Sequence, residues 1–431
     1  MDVEKKFHGK TLLMLGSNLS AADSVRYARD NGAYVIVADW NETEKSKAKQ
    51  LADEAILLST ADFDALSDLI VSRNVSGVFA GISGFNLKQA MRLCEKHSLP
   101  FYFSLDQWNR VGTKGLFREL CLEYGVPCPV TYYIGSIVDD IDWDRIEYPA
   151  VVKPVDGSSS AGVCICKDRQ TLIECAKKDL ELSASGKIIV EQFVKGDEFT
   201  AHYTVHEGRA TLSCVDNRYP VAVHSGDVTT VPVARIYPSL FTAEYIDQVN
   251  EQMVALCESL GLSEGILFVQ GLYDGESFAI FEAGLRSAGE CAYRLLDAAN
   301  GVNHLHMLVD YALGVKTDYD TLREDPFFGG TCCGVVSYVG RGGEVGSILG
   351  LDETLKTVSS IIDYEVRYPV GSEIPDGDTL RQLAIRFAMC CKSREQMAAD
   401  IRAINESVRM LDVNGNDMSI KMVPERVFGL L

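Results

Sequence analysis

Apolar and polar positions follow two different rhythms along this chain. Over the first hundred residues, short apolar runs alternate with amphipathic stretches of helical period. Thr11–Leu15, Tyr34–Ala38, Ala55–Leu58, Gly77–Ala80 and Pro100–Phe103 read as strands, with helices between them. The first helix is expected from about Ser20 to Asp30, with Ser20 as N-cap and Asp23 at the third helical position. Such a βαβ series predicts a parallel sheet with right-handed crossovers. A boundary falls near Leu105–Gly112. The next helix, from about Lys114 to Tyr124, stops at Gly125 with Pro127 and Pro129 beyond it. From Tyr148 to about Ala283 the rhythm becomes short alternating strands and polar turns, an antiparallel pattern. Helices near Arg169–Lys178 and Thr242–Leu260 interrupt it. From about Gly329 there are strands with glycine turns at Gly340, Gly342 and Gly343, then a helix near Ser393–Val408.

The chain has 431 residues, 47% of them hydrophobic and 24% charged, enough for several globular domains. No apolar run reaches bilayer-spanning length, and the first residues lack the apolar core of a secretory signal. A cytoplasmic protein that does not engage membranes is expected. The formal net charge of −20 repels nucleic-acid phosphates, and basic residues are not clustered, so nucleic acid is excluded as a partner. Thirteen cysteines are scattered without a C-x-x-C pair, which reads as reduced thiols rather than a disulfide or zinc framework. His304 and His306 fall in a helical stretch where residues two apart diverge, so they are not read as metal ligands. His202, His224 and Arg218 are candidates for lining an acceptor pocket.

Three stretches carry candidate chemistry. The first is YPAVVKPVDGSSSAGV, residues 148–163. A strand delivers Lys153 to the start of a loop of small residues. Backbone N–H groups of such a loop bind phosphate oxygens, and the lysine adds a point charge. The loop alone would favour a hairpin turn beside a surface lysine; the lysine one strand residue ahead of it favours phosphate. The second stretch, KIIVEQFVKGDEFT at 187–200, runs an apolar strand to Glu191 and, after a short connector, opens another at Glu198. Connector backbone can read an adenine edge and a carboxylate can accept ribose hydroxyls, although a polar hairpin would look the same. The third, GILFVQGLYDGESFAIFEAGLRSAGE at 265–290, is a hairpin turning at Asp274-Gly275. It places Gln270 and Glu282 on paired strands, where two oxygens can meet one Mg²⁺. Arg286 follows as a candidate partner for a transferring phosphoryl group. The alternative for this stretch is a structural Glu–Arg pair. After the first strand the turn is Gly16-Ser17-Asn18-Leu19-Ser20 rather than G-x-G-x-x-G. A dinucleotide oxidoreductase with Asp39 on a ribose is therefore disfavoured. The loop Gly81–Asn86 is read as a strand-to-helix turn rather than a substrate wall.

In this order the three stretches resemble the ATP-grasp superfamily, in particular its biotin carboxylase and carbamoyl-phosphate synthetase branch. The resemblance implies an α/β and α+β architecture. A Rossmann-like parallel-sheet domain over 1–110 would precede a two-lobed antiparallel ATP-grasp domain over 111–312, its lid at about 148–198. An α+β region over 313–431 would follow. It implies ATP and Mg²⁺ (or Mn²⁺) as cofactors. Lys114, Lys153, Asp156, Gly157, Ser158, Ser159 and Gly162 would face the phosphates. Glu191, Phe193 and Val194 would form the adenine hinge and Glu198 would hold the ribose. Gln270 and Glu282 would ligate metal, and Arg286 with Lys153 would be catalytic. The implied reaction activates a small-molecule carboxylate as an acyl phosphate for attack by an amine, releasing ADP and phosphate. The alternative is a non-catalytic, regulatory ATP-binding protein. A homodimer is expected as the common outcome for such enzymes. Two positions depart from the family pattern: Gln270 stands where many members have an acid, and Gly284 where the E-x-N-x-R motif has asparagine.

Overall fold

The computed structural model describes residues 5–157, 162–223, 231–289, 291–316, 320, 324–377 and 380–425. Its N-terminal part is a parallel sheet of β1 (Thr11–Leu15), β2 (Tyr34–Asp39), β3 (Glu54–Leu57) and β4 (Gly77–Phe79) in the order β3-β2-β1-β4. Helices α1 (Leu19–Asp30), α2 (Lys47–Leu51), α3 (Phe63–Ser72) and α4 (Gly84–His97) connect and follow these strands. The helical and strand periods thus produce the expected βαβ units. Two local expectations fail. Asn18, not Ser20, caps α1, its side chain accepting from the Ala21 N–H, while the Ser20 hydroxyl donates to Asn18. Pro100–Phe103 is not a strand. Its aromatic rings pack into the core instead, with Tyr102 and Phe103 buried. Gly81–Asn86 is the expected turn, and Ser83 caps α4.

Helices α5 (Leu105–Gly112) and α6 (Lys114–Tyr124) cross to a second sheet. It consists of β5 (Thr131–Gly135), β6 (Ala150–Pro154), β7 (Cys164–Cys166) and β8 (Ile188–Gln192) in antiparallel order β5-β8-β6-β7, backed by α7 (Arg169–Leu182). This lid sheet therefore recruits β5, ahead of the expected start at 148. α7 also runs on past Lys178, because Leu172 and Ala176 remain buried against the sheet and no glycine or proline stops it.

The third and largest sheet has nine strands. These are β9 (Asp197–His206), β10 (Arg209–Val221), β11 (Val231–Tyr237), β12 (Glu264–Tyr273), β13 (Phe278–Gly284), β14 (Cys332–Gly340), β16 (Ile361–Val366), β18 (Leu383–Cys391) and β20 (Ser419–Ile420). Pairing of β11 with β14 makes the C-terminal strands continuous with the central ones. β15 (Gly343–Leu349), β17 (Glu373–Ile374) and β19 (Arg409–Asp412) form a small separate sheet. Helices α8 (Thr242–Tyr245) and α9 (Glu251–Ser259), joined by a π-helical turn at Ile246–Asn250, cover one face. α10 (Ala292–Asn300), α11 (His304–Ala312), α12 (Leu351–Thr357) and α13 (Arg394–Ser407) complete the helices.

α11 ties the first sheet to the rest. Asp310 accepts from Lys6 Nζ at 2.5 Å and from the Tyr27 hydroxyl at 2.8 Å, and His306 stacks on Tyr27 with ring centroids 3.7 Å apart. At Gly77 the backbones meet so closely that a Cβ would overlap the Ala312 carbonyl. Gly77→Ala is expected to cost about 3 kcal/mol, the upper end for overpacking, because the obstacle is backbone and cannot rotate away. Chemical denaturation checks this; an unchanged midpoint would show that the interface can separate freely.

Candidate functional site

Four sequence-distant stretches converge where the lid sheet faces the β12–β13 hairpin. β6 presents Lys153, buried despite its charge, and β8 presents Glu191, buried beside it. An unpaired charge in such a place is costly. Here the charges answer one another. Lys153 Nζ contacts one Glu191 oxygen, and Arg118 Nη2 donates to the other at 2.9 Å. Arg118 lies on α6 and also donates to the Ile280 carbonyl of β13 at 2.8 Å. Lid sheet, helix and hairpin are thereby joined through one carboxylate.

Lys114, the first residue of α6, donates to the Gly157 carbonyl at 2.6 Å at the base of the small-residue loop. Burial lowers its pKa; Glu282 opposes the shift, Lys153 reinforces it, and Glu191 and Asp156 oppose it. Asp156 itself turns away. Its carboxylate accepts from the Ser183 hydroxyl at 2.9 Å and the Ser185 N–H at 2.7 Å, anchoring the loop. Ser158 and Ser159 lie outside the described residues, as does His224.

Gly162 re-enters β7 with φ +77°, and a Cβ there would lie 2.8 Å from Asp179 Oδ1. Asp179, on α7, is buried, and its carboxylate has no hydrogen-bond partner among the described residues. Burial pushes its pKa up to about 6, opposed by Lys178. The folded value lies above the unfolded one, so the folded state holds the extra proton. The contribution of this group is most favourable below about pH 4 and is lost as pH rises through about 6. Asp179→Asn is therefore expected to gain stability relative to wild type between pH 4.5 and pH 7.5, read by denaturation at both. A difference that does not change with pH would refute the buried acid.

The hairpin brings the predicted metal pair together by an irregularity. From Tyr273↔Phe278 to Gly271↔Ile280 the ladder is regular; then Gln270 pairs with Glu282 and Phe281 is left over as a bulge. Without that extra residue Glu282 would point to the opposite face. Both side chains are half-buried, and neither has a hydrogen-bond partner among the described residues. Two facing oxygen donors with no internal partner fit a hard divalent cation, which takes oxygen ligands and keeps others from phosphate and water. The bulged Phe281 ring lies 5.4 Å from Lys153 Nζ and offers an apolar surface beneath the lid.

Arg286 follows the hairpin. Its Nη1 donates to the Ser287 carbonyl at 3.0 Å and its guanidinium lies 4.7 Å from the Phe268 ring centre. Burial lowers its pKa and Glu282 opposes the shift. Phe193 and Val194 sit half-buried in the connector between β8 and β9, beside the Lys153–Glu191 pair. Glu198 lies on the same face of β9 as Thr200 but is held by Arg218. His202, buried, is bonded through Nε2 to Asp216 at 3.0 Å rather than open to a pocket. Burial lowers its pKa although Asp216 raises it. Arg235 completes that network, donating to Asp216 and Thr200. The structure thus joins Lys114 to Gly157 and Lys153 to Glu191, and Glu282 raises the pKa of both Lys114 and Arg286 against the effect of burial. Sequence reasoning missed Arg118, Phe281 and Phe268. Only the helical spacing of Arg118 after Lys114 hinted that the two share a face.

Residues 146–293 match the profile of the ATP-grasp domain. The carbamoyl phosphate synthase large chain of Xanthomonas campestris pv. campestris is 23% identical over 278 residues, which cover 59% of this chain and 25% of that protein. The corresponding large chain of Clostridium perfringens strain 13 is 24% identical over 312 residues, 69% of this chain and 28% of that one. The chain spans about a quarter of the length of the curated relatives it matches. Among solved structures, an L-amino acid ligase from Bacillus licheniformis superposes with a TM-score of 0.78 at 18% identity, covering 94% of this chain and 99% of that one. The biotin carboxylase domain of Hydrogenobacter thermophilus 2-oxoglutarate carboxylase, a dimer in complex with MgADP and bicarbonate, gives 0.76 at 15% identity, covering 98% and 93%. At these identities the structural likeness establishes the fold.

Proposed function

Since this chain carries an ATP-grasp domain, we propose that it is an ATP- and Mg²⁺-dependent ligase that forms ADP while joining a carboxylate to an amine. The observation that carries this reading is the register that sets Gln270 opposite Glu282, with Lys114 and Arg286 both subject to the Glu282 charge and Lys153 held at Glu191. Phosphoryl transfer needs little covalent help from a protein. It needs positioning and cations around the charge that develops on the transferring group.

In this reading the adenine lies between the lid sheet and Phe281, read by backbone near Phe193 and Val194, with Glu198 released from Arg218 to accept the ribose hydroxyls. Gly157 and Gly162 approach the phosphates by backbone, as Lys114 and Lys153 do by charge, and Ser158 and Ser159, outside the described residues, are proposed as further phosphate contacts. Gln270 and Glu282 would hold Mg²⁺ (or Mn²⁺), which supplies charge neutralisation at the phosphates when bound. The substrate carboxylate attacks the γ-phosphorus as the bond to the ADP oxygen breaks. The amine nitrogen then attacks the carbonyl carbon of the acyl phosphate, inorganic phosphate leaves with the bonding pair, and the proton shed by the nitrogen goes to the leaving phosphate. Arg286 stabilises the negative charge in both steps. Among the described residues no helix is long and apolar enough to cross a membrane, and all thirteen cysteines are free thiols. Reduced thiols support a cytoplasmic location, and a homodimer is the proposed assembly.

The test is ADP release over a panel of small carboxylic acids and amines, preceded by thermal stabilisation with ATP and Mg²⁺. Bound ligand at a hundred times its dissociation constant adds about 2.7 kcal/mol. Stabilisation that Lys153→Ala abolishes is expected; its absence in wild type would sink the nucleotide site. Gly284 and the neutral Gln270 favour a second reading, an ATP-binding regulator without turnover. ADP release that depends on Glu282 separates the two.

A further inference from the structure

On β12 and β13 the pair Gln270–Glu282 is followed, on the same face, by the pair Phe268–Gly284. On this face of the hairpin, a protein oxygen donor for a second cation, beyond Gln270 and Glu282, would have to come from this neighbouring pair. Gly284 supplies no side chain, and none fits while the ring of Phe268 stays in place. A Cβ at 284 would lie 2.6 Å from Phe268 Cε1 and 2.9 Å from Cζ, closer than real side chains approach. Phe268 is buried, which leaves its ring little room to move aside, and its strand neighbour on β9 is His202, bonded to Asp216. Over the ring sits the Arg286 guanidinium, 4.7 Å from its centre and hydrogen-bonded to the Ser287 carbonyl. A permanent cation thus stands on the aromatic face, next to Glu282.

We infer that the site takes one divalent cation, held by Gln270 and Glu282, and that Arg286 stacked on Phe268 provides the positive charge a second cation would bring. This rests on the nucleotide reading above. Arg286 can fill that role without being released with product, whereas a second ion would have to compete with it for Glu282.

The test uses the full chain saturated with a non-hydrolysable ATP analogue and titrated with Mn²⁺. Bound nucleotide is measured by equilibrium dialysis and bound Mn²⁺ by electron paramagnetic resonance. One Mn²⁺ per nucleotide-loaded chain is expected, and two would overturn the inference while leaving the nucleotide site intact. Absence of bound nucleotide at every Mn²⁺ concentration would overturn the ligase reading and this inference with it. In the double variant Phe268→Ala, Gly284→Asn a second Mn²⁺ is expected. Phe268→Ala alone, which removes the ring without adding a donor, should still bind one. If the double variant folds, binds nucleotide and still takes one Mn²⁺, Phe268 is not the barrier.

Discussion

A chain carrying Glu282→Gln is expected to turn over ATP about 10³-fold more slowly than wild type while unfolding at the same denaturant concentration. The two halves of this expectation have separate causes. Glu282 is half-buried and has no hydrogen-bond partner among the described residues, so an isosteric neutral side chain leaves the fold nearly untouched. In the proposed reading, loss of its charge weakens a metal site that would contribute several kcal/mol to the transition state, and each ~1.4 kcal/mol is tenfold in rate. A secondary effect has a definite sign. Burial already lowers the Lys114 pKa, and Glu282 is the first charge that opposes it. Without that carboxylate the value falls further, so the residual activity should decline at lower pH on its alkaline side than wild-type activity does. ADP release followed from pH 6 to 10 in both proteins reads rate and limb together. Turnover within tenfold of wild type would mean that the cation is not held at this hairpin.

The elements that position this site were legible wherever local pattern and tertiary demand agree. Lys153 could be placed because it ends an apolar strand just ahead of a small-residue loop, a combination that favours phosphate where the loop alone reads as a hairpin turn, and the Asp274-Gly275 turn fixes the hairpin of β12 and β13. The face on which Glu282 lies was not legible. Counting from the turn puts Phe281 opposite Gln270, and only the bulge returns Glu282 to that side. Nothing in the letters IFEAG marks a bulge, which is set by packing on both faces. Arg118 was invisible for a related reason. In an amphipathic helix an arginine ordinarily reads as a solvated position, and its burial follows from β8 and β13 meeting beside α6. Asn18 displaced Ser20 as cap because both residue types are good caps and they lie only two residues apart. The departure at Gly284 could be read as a missing ligand. The occupation of its space by Phe268 required the cross-strand register.

Arg118 gives the second large effect, on the lid rather than on chemistry. Arg118→Met keeps the length and apolar stem of the side chain but removes both donors. Glu191 then keeps Lys153 and loses its other partner, and the Ile280 carbonyl loses its bond from α6. Removing one member of a buried ion pair costs about 3–5 kcal/mol; the lower figure applies because Lys153 still compensates Glu191. About 3 kcal/mol corresponds to a roughly 150-fold change in an opening equilibrium. In a chain of several packed sheets a single global unfolding free energy hides such a local change. Amide hydrogen exchange resolves it. Protection in β5, β6 and β8 is expected to fall by that factor, while β1, β2 and β4 exchange as in wild type. The affinity for ATP should weaken in parallel, since the closed lid becomes a smaller fraction of the population. Arg118→Lys, which retains the charge but not the two-sided fork, should recover part of the protection. Unaltered exchange in the lid would show that Glu191 is oriented by Lys153 alone and that α6 does not brace the nucleotide site.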